Sequence, residues 1–213
     1  MPPETDDTLP VGSTIVGPLF APLRAELEHV ADLPVPWCLA GGWAIDLFVG
    51  RVTREHQDVD LVIGRLHQHT VYQHLADRTW YMILPHPDGL TGKGTIEVWD
   101  GTPLELPAYQ ILADDQHGHR IEFLLSEIDE GLWRSGRNPE VTMPTVRMAL
   151  TTSEGIRYLA PEIVLLYKAK LGRTWDEADF NTALPEMSVG QRDWLLYALE
   201  EEHPGHPWLD RLE

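Results

Sequence analysis

The chain has 213 residues, with 34 Asp and Glu against 16 Lys and Arg, a formal net charge of −18. A surface this acidic repels polyanions, which argues against a nucleic-acid polymer or an anionic membrane as partner; it suits a cationic small molecule, or simply solubility. No apolar run approaches the roughly 20 residues of a membrane span, the opening MPPETDDTLP lacks a charged-then-apolar leader pattern so that a cytoplasmic protein is expected, and the single Cys38 excludes an internal disulfide and reads as a small core residue.

Residues 1–17, rich in Pro and Asp, read as an irregular lead-in. From Pro18 to Leu33, Leu19, Leu23, Leu27 and Val30 recur at helical spacing and predict an amphipathic helix against a sheet. Trp37 to Ala40 is an apolar strand that runs into Gly41 and Gly42. A helix follows, with Trp43, Ile45, Leu47 and Phe48 as its apolar positions. Glycine permits backbone angles and close ligand approach that a side chain would forbid. A helix starting just after it offers unpaired N–H groups and a positive dipole end, which is a phosphate site. The polar link Arg51 to Gln57 then leads to Asp58-Val59-Asp60 and the apolar run Leu61, Val62 and Ile63. Residues two apart on a strand share a face, so Asp58 and Asp60 point the same way and repel unless a cation lies between them. Hard oxygen donors suit Mg²⁺, which binds through one or two carboxylates and fills its shell with water and substrate phosphates. Two exposed acids at a strand end are the other reading of D-x-D; the glycine turn before it and the apolar strand after it favour the metal.

Gly41-Gly42-Trp43-Ala44-Ile45-Asp46, then Gly50-Arg51-Val52-Thr53-Arg54, then His56-x-Asp58-Val59-Asp60-Leu61 resembles the signature of the aminoglycoside 2''-adenylyltransferase-like and lincosamide nucleotidyltransferase group, within the polymerase-β nucleotidyltransferase superfamily. The resemblance is dense over these two dozen or so residues and looser, but in order, to the C-terminal helices. It implies an α+β fold: a nucleotidyltransferase core with a mixed sheet and flanking helices over residues 1–155, followed by a C-terminal helical bundle over 156–213.

Downstream, Gly64 to Asp77 reads as a helix with Leu66, Val71 and Leu75 inward. Its His67, His69 and His74 lack the spacing and the carboxylate of a zinc set. Trp80 to Leu84 and Thr95 to Trp99 are strands around the link DGLTGKG, which lacks the Walker spacing and a following helix. Tyr109 to Ala113 and Arg120 to Leu125 form a hairpin, with Arg120, Glu122 and Leu124 on one face. In the related proteins the second strand of this hairpin bears a third acid, usually Asp; here the position is Glu122. The resemblance implies that Glu122 completes the metal site or acts as general base on an acceptor hydroxyl.

Glu127 to Val141 reads as a polar connection containing Trp133 and Arg134, a loop of the kind that can hold substrate. Val146 to Leu159 supplies short extended pieces. Pro161 opens a helix with Ile163, Val164, Leu166, Tyr167 and Leu171 as its buried face. Thr174 with Glu177, and Ser188 with Gln191, read as capping boxes of two further helices, and Asp176 and Asp179 as helix N-terminal charges. The segment from His203 to Trp208 reads as a rigid turn with structural histidines. The run Pro161-Glu162-Ile163 through Tyr167-Lys168-Ala169-Lys170, with Arg173 and Asp176-Glu177-x-Asp179-Phe180, resembles the helical tail of the same group, which carries a lysine that reaches the triphosphate. Lys168 is preferred for that role and Lys170 is second; both snorkelling to solvent is the other reading.

The resemblance thus implies that ATP lies against Gly41 and Gly42 with Arg54, His56 and Lys168 adding positive charge. Asp58, Asp60 and Glu122 serve Mg²⁺ and catalysis, and AMP passes to a hydroxyl of a small, cationic acceptor such as an aminoglycoside or a lincosamide. Two alternatives stand beside it. A protein-adenylylating antitoxin is disfavoured by the long helical tail. A non-catalytic nucleotide-binding module, suggested by Glu in place of Asp, is disfavoured by the presence of both Asp58 and Asp60.

Overall fold

The structure, a computed structural model, describes residues 20–56, 58–85 and 94–213. The expected lead-in and the link DGLTGKG up to Lys93 lie outside the described residues. The first helix, α1 (Ala21–Glu28), is shorter than its apolar period and buries Leu23 and Leu27, with Val30 buried in the turn beyond it. The chain bends at Pro34 and Val35 before entering β1 (Trp37–Leu39), where Cys38 is buried as expected.

Helix α2 (Gly41–Val49) starts one residue after the strand and stops at Gly50, whose left-handed φ of 74° caps it. Strand β2 (Val59–Gly64) follows. A 3₁₀ turn (Arg65–His67) precedes α3 (Gln68–His74), so Leu66 falls ahead of the helix and is 86% exposed rather than inward. Gln68 takes the inward position instead, donating to the Leu104 carbonyl at 3.1 Å and accepting from the Leu104 N–H at 2.8 Å. Next come β3 (Thr79–Leu84), β4 (Thr95–Val98), β5 (Gln110–Asp114) and β6 (Arg120–Asp129).

The stretch read as a polar connection is instead a β-ribbon. Strand β6 runs on to Asp129 and pairs with β7 (Leu132–Arg134), which pairs with β8 (Thr142–Pro144). Trp133 is fully buried, its ring 6.1 Å from both Tyr167 and Trp194, so it is a core residue and holds no substrate. Charged residues outnumber apolar ones in this stretch and hide its alternation.

After α4 (Thr145–Met148), strands β9 (Ala149–Thr151) and β10 (Arg157–Leu159) pair with each other, and β10 lies parallel to β1. The sheet order is β4-β3-β5-β6-β2-β1-β10-β9, with β2–β6 and β1–β10 parallel and the remaining pairs antiparallel, the mixed sheet expected. The described helices of the tail begin at Pro161, after β10 has joined the sheet: α5 (Pro161–Ala169), α6 (Thr174–Ala183), α7 (Val189–Glu202) and the short α8 (Leu209–Leu212). The expected division after residue 155 falls in the turn between β9 and β10.

Ser188 and Gln191 cap α7 reciprocally, as read: the Gln191 N–H donates to Ser188 Oγ and the Ser188 N–H donates to Gln191 Oε1 at 2.9 Å. At α6 the register is one residue earlier than read. Thr174 is the first helical residue, and the Arg173 N–H donates to Asp176 Oδ2 at 3.1 Å, so the pair is Arg173 with Asp176 and not Thr174 with Glu177. Leu171 lies in the turn past α5 and is 54% exposed. Trp208 is buried in the last turn, its ring stacked on Phe180 at 4.1 Å.

Candidate active site

The parallel pairing of β2 with β6 decides the site. Val59 sits opposite Ile121 and Asp60 opposite Glu122. Partners in register point to the same face, so Val59 and Ile121 enter the core while Asp60 and Glu122 stand side by side on the other face. Asp58, two residues before Asp60, is exposed at the strand's start. Burial, then the charges of Glu122 and Asp58, push the Asp60 carboxyl up to about 7. Burial and the Asp58 charge also raise Glu122, partly offset by a hydrogen bond from the Gln110 amide on β5. Three acids from two strands distant in sequence are thus one electrostatic unit, held together against their mutual repulsion by the pairing of β2 with β6.

The two glycines do something other than leave room for a ligand. At Gly41, φ is +60° and an added Cβ would collide with Asp60 Oδ2. At Gly42 a Cβ would meet the Arg54 guanidinium and come within 2.6 Å of the His56 ring. The space without side chains is occupied by the functional side chains themselves, and the Ala40 N–H donates to the Asp60 carbonyl at 2.8 Å, tying the helix start to β2. Glycine here brings Asp60, Arg54 and His56 onto the first turn of α2.

His56 is held from behind. Its Nε2 is 2.6 Å from Asp46 Oδ2, its ring stacks at 4.2 Å on Trp43, and its side chain is 2% exposed. Asp46, fully buried, also accepts from the Thr53 N–H and hydroxyl at 3.1 and 2.5 Å. His56 is therefore a fixed wall of the site rather than a mobile cation. Arg54 reaches across to α6, donating through Nε and Nη2 to Asp179 at 3.2 and 3.3 Å.

Lys168 reaches the same region. It is buried, with Nζ 3.2 Å from Asp176 and 2.8 Å from Asp179, and its charge, with that of Arg173, opposes the rise at Asp60. Lys170 lies round the helix, its charge acting on His203. Asp176 and Asp179 are not solvated helix-end charges: both are buried and partnered by cations, because α6 turns its first acidic positions toward α2 and α5. Arg173, whose guanidinium donates twice to Asp176 at 2.7 and 3.0 Å and lies 5.0 Å over the half-exposed Trp175 ring, joins the site although the sequence assigned it no role. The signal was its place between the lysine and the acids of the tail. A cavity of about 220 Å³ adjoins these groups, lined by Trp43, His56, Asp58, Arg120 and Glu26 among others.

Among the described residues, no group of three or more His, Cys, Asp or Glu side chains forms a ready metal cage. The donor set nevertheless fits a hard divalent cation. Asp60 carries a repulsion from two carboxylates that Lys168 and Arg173 offset only in part, and Mg²⁺ needs only one or two protein carboxylates when phosphate oxygens supply the rest.

Residues 23–83 match the model of the aminoglycoside-2''-adenylyltransferase family. A lincosamide resistance protein of Staphylococcus haemolyticus is 38% identical over 56 residues, 24% of this chain and 35% of that protein, so the match spans about a third of the curated relative's length. Two solved structures share the fold: the lincosamide antibiotic adenylyltransferase LnuA with lincomycin bound (TM-score 0.51, 20% identity, 77% of this chain and 98% of that one) and the antibiotic-resistance factor ANT(2'')-Ia in solution (TM-score 0.52, 17% identity, 86% and 90%). The fold is a nucleotidyltransferase fold. The chain resembles the aminoglycoside 2''-adenylyltransferase and lincosamide nucleotidyltransferase group, as its central signature implies. In this nucleotidyltransferase fold the acid-bearing starts of the central strands β2 and β6, the first turn of α2 and the tail helices α5 and α6 come together. Among the described residues no helix is long and apolar enough to cross a membrane.

Proposed function

We propose that the chain is a nucleotidyltransferase that moves a nucleoside monophosphate, AMP from ATP, onto a hydroxyl of a small cationic acceptor of the aminoglycoside or lincosamide kind, in the cytoplasm. The observation that carries this reading is the register of Asp60 with Glu122, which sets two half-buried carboxylates, with Asp58 beside them, against the first turn of α2 and within the field of Lys168 and Arg173. Acids alone would suit a cation store. Acids faced by cations across a cleft suit a metal–phosphate pair, whose two halves carry opposite charge.

Asp58 and Asp60, with Glu122 adjoining, would hold Mg²⁺, which when bound supplies charge neutralisation at the phosphates. Lys168, Arg173 and Arg54 bind the phosphate oxygens and balance the charge that builds on departing pyrophosphate. Glu122, kept less acidic than usual by burial and by Asp58, receives the acceptor hydroxyl's proton at a carboxylate oxygen, and Gln110 orients it for that transfer. The Trp43-walled cavity beside Asp58 offers a polyamine-bearing acceptor the carboxylates of Glu26 and Asp58, with Arg120 and His119 on the same wall.

The test is pyrophosphate release from ATP and Mg²⁺ across a panel of aminoglycosides and lincosamides, with Asp58→Asn in parallel. Release that requires an acceptor and disappears in the variant is expected; ATP binding with no release for any acceptor sinks the small-molecule reading. A pH profile tests Glu122. Because the Gln110 hydrogen bond lowers the Glu122 pKa, Gln110→Leu is expected to move the acid limb of the rate profile to higher pH; an unmoved limb removes Glu122 as the base.

A further inference from the structure

Asp179 is a carboxylate with 2% of its side chain exposed, and it accepts from two cations on two different elements. Arg54, 125 residues away in the chain, offers Nε and Nη2 at 3.2 and 3.3 Å. Lys168 on α5 comes within 2.8 Å. Asp176, one turn earlier on α6, shares Lys168 and holds Arg173. Two buried carboxylates thus organise three cations, an arrangement one positive charge in excess, and Asp60 feels the charges of Lys168 and Arg173.

A buried ion network of this kind is a weak device for stability, because well-packed apolar residues in its place are often as stable or more so. It is a strong device for position. Two cations that meet on one carboxylate are fixed with respect to each other as well as to the helix that carries it, and a guanidinium held through two of its nitrogens keeps its plane. The Arg54 guanidinium lies against the Gly42 backbone, at the first turn of α2, where phosphate oxygens are expected. Without Asp179, Arg54 would lose its one carboxylate partner among the described residues and Lys168 would collapse onto Asp176.

We propose that Asp179 is a positioning residue for nucleotide binding: from the tail helix it aims Arg54 of the core and Lys168 of α5 at the triphosphate, and so makes phosphate binding depend on α6 being docked. This rests on the nucleotidyltransferase reading above. The near-isosteric Asp179→Asn keeps the volume and removes the charge. It is expected to raise the KM and Kd for MgATP about tenfold, the effect of one lost charge-assisted contact, with the KM for the acceptor unchanged.

Three forms decide it: Asp179→Asn, Arg54→Gln and the double variant, each assayed by ATP calorimetry and steady-state kinetics. Because Asp179 acts in part through Arg54, the double variant loses less ATP affinity than the sum of the two single losses, the remainder being the part carried by Lys168. Additive losses, or an unchanged ATP affinity in Asp179→Asn with only a lower Tm, overturn the inference and make Asp179 merely structural. Should Asp179→Asn not fold, Arg54→Lys, which keeps the charge and loses the fork, carries the same test. Affinity reduced toward that of Arg54→Gln supports positioning, and wild-type affinity overturns it. A wild-type protein that binds no ATP removes the nucleotidyltransferase reading itself, an outcome distinct from wild-type binding that Asp179→Asn leaves untouched.

Discussion

Asp60→Asn is expected to lower pyrophosphate release by roughly 10³-fold, the scale of losing one charge-stabilising group at a phosphoryl-transfer centre, while raising the stability of the metal-free protein above neutral pH. The second half follows from linkage. The folded-state pKa of Asp60 is about 7 against an ordinary 3.8. The folded protein therefore holds the proton more tightly than the unfolded chain. The stability tied to that proton is fully present below pH ~4 and declines as pH rises toward 7; above that it is gone.

In the wild-type protein the ionised Asp60 then stands half-buried beside Glu122 and Asp58, with Lys168 and Arg173 offsetting only part of the desolvation and repulsion, at a cost on the order of 2 kcal/mol. Asparagine keeps the shape and removes the charge, so thermal unfolding at pH 8 should shift upward by about 4–8 °C, with little shift at pH 4. Mg²⁺ added at pH 8 should raise the Tm of the wild type and leave Asp60→Asn unmoved. Equal Mg²⁺ responses in the two proteins would remove Asp60 as a ligand. An Asn variant less stable than wild type at pH 8 would show that the carboxylate is held by favourable contacts rather than strained by its neighbours.

Gly41→Ala is expected to lose at least about 10²-fold in activity and to destabilise the protein by about 1–2 kcal/mol. The backbone penalty comes from φ of +60°, the left-handed region. The functional loss has a different origin, since the new methyl would occupy the position of Asp60 Oδ2 and displace that carboxylate from its place beside Glu122. The Mg²⁺-induced rise in Tm should vanish together with the activity. Gly50→Ala makes the control: it also has positive φ, at 74°, but nothing lies within 4 Å of its added Cβ, so it should lose stability and keep activity. If both alanine variants behave alike, the glycine at 41 serves backbone geometry alone.

Much of the site was legible because it is local. Strand, glycine turn, helix and D-x-D lie within 24 consecutive residues, and the period-2 rule by itself puts Asp58 and Asp60 on one face. Glu122 was legible through the resemblance and through the hairpin, and the ladder bears out its face. The errors share a cause. Asp176 and Asp179 look like helix-start acids by position alone, and only the packing of α6 against α2 and α5 buries them among cations. Trp133 looks like a loop aromatic because the ribbon of β6, β7 and β8 is too charged to show its alternation. Leu66 and Leu171 were placed inward by a helical period that the helices themselves do not reach.

By itself the sequence determined which groups carry charge and metal affinity, and on which local face each stands, since periodicity and glycine geometry act between near neighbours. The tertiary structure alone decided which of these groups meet. The Asp60–Glu122 register, the filling of the glycine space by Asp60, Arg54 and His56, and the bridge from Arg54 to Asp179 all join residues far apart in the chain. The energy of such contacts depends on burial and on distances of a few ångströms, and the packing of β2 on β6 and of α6 on α2 sets both.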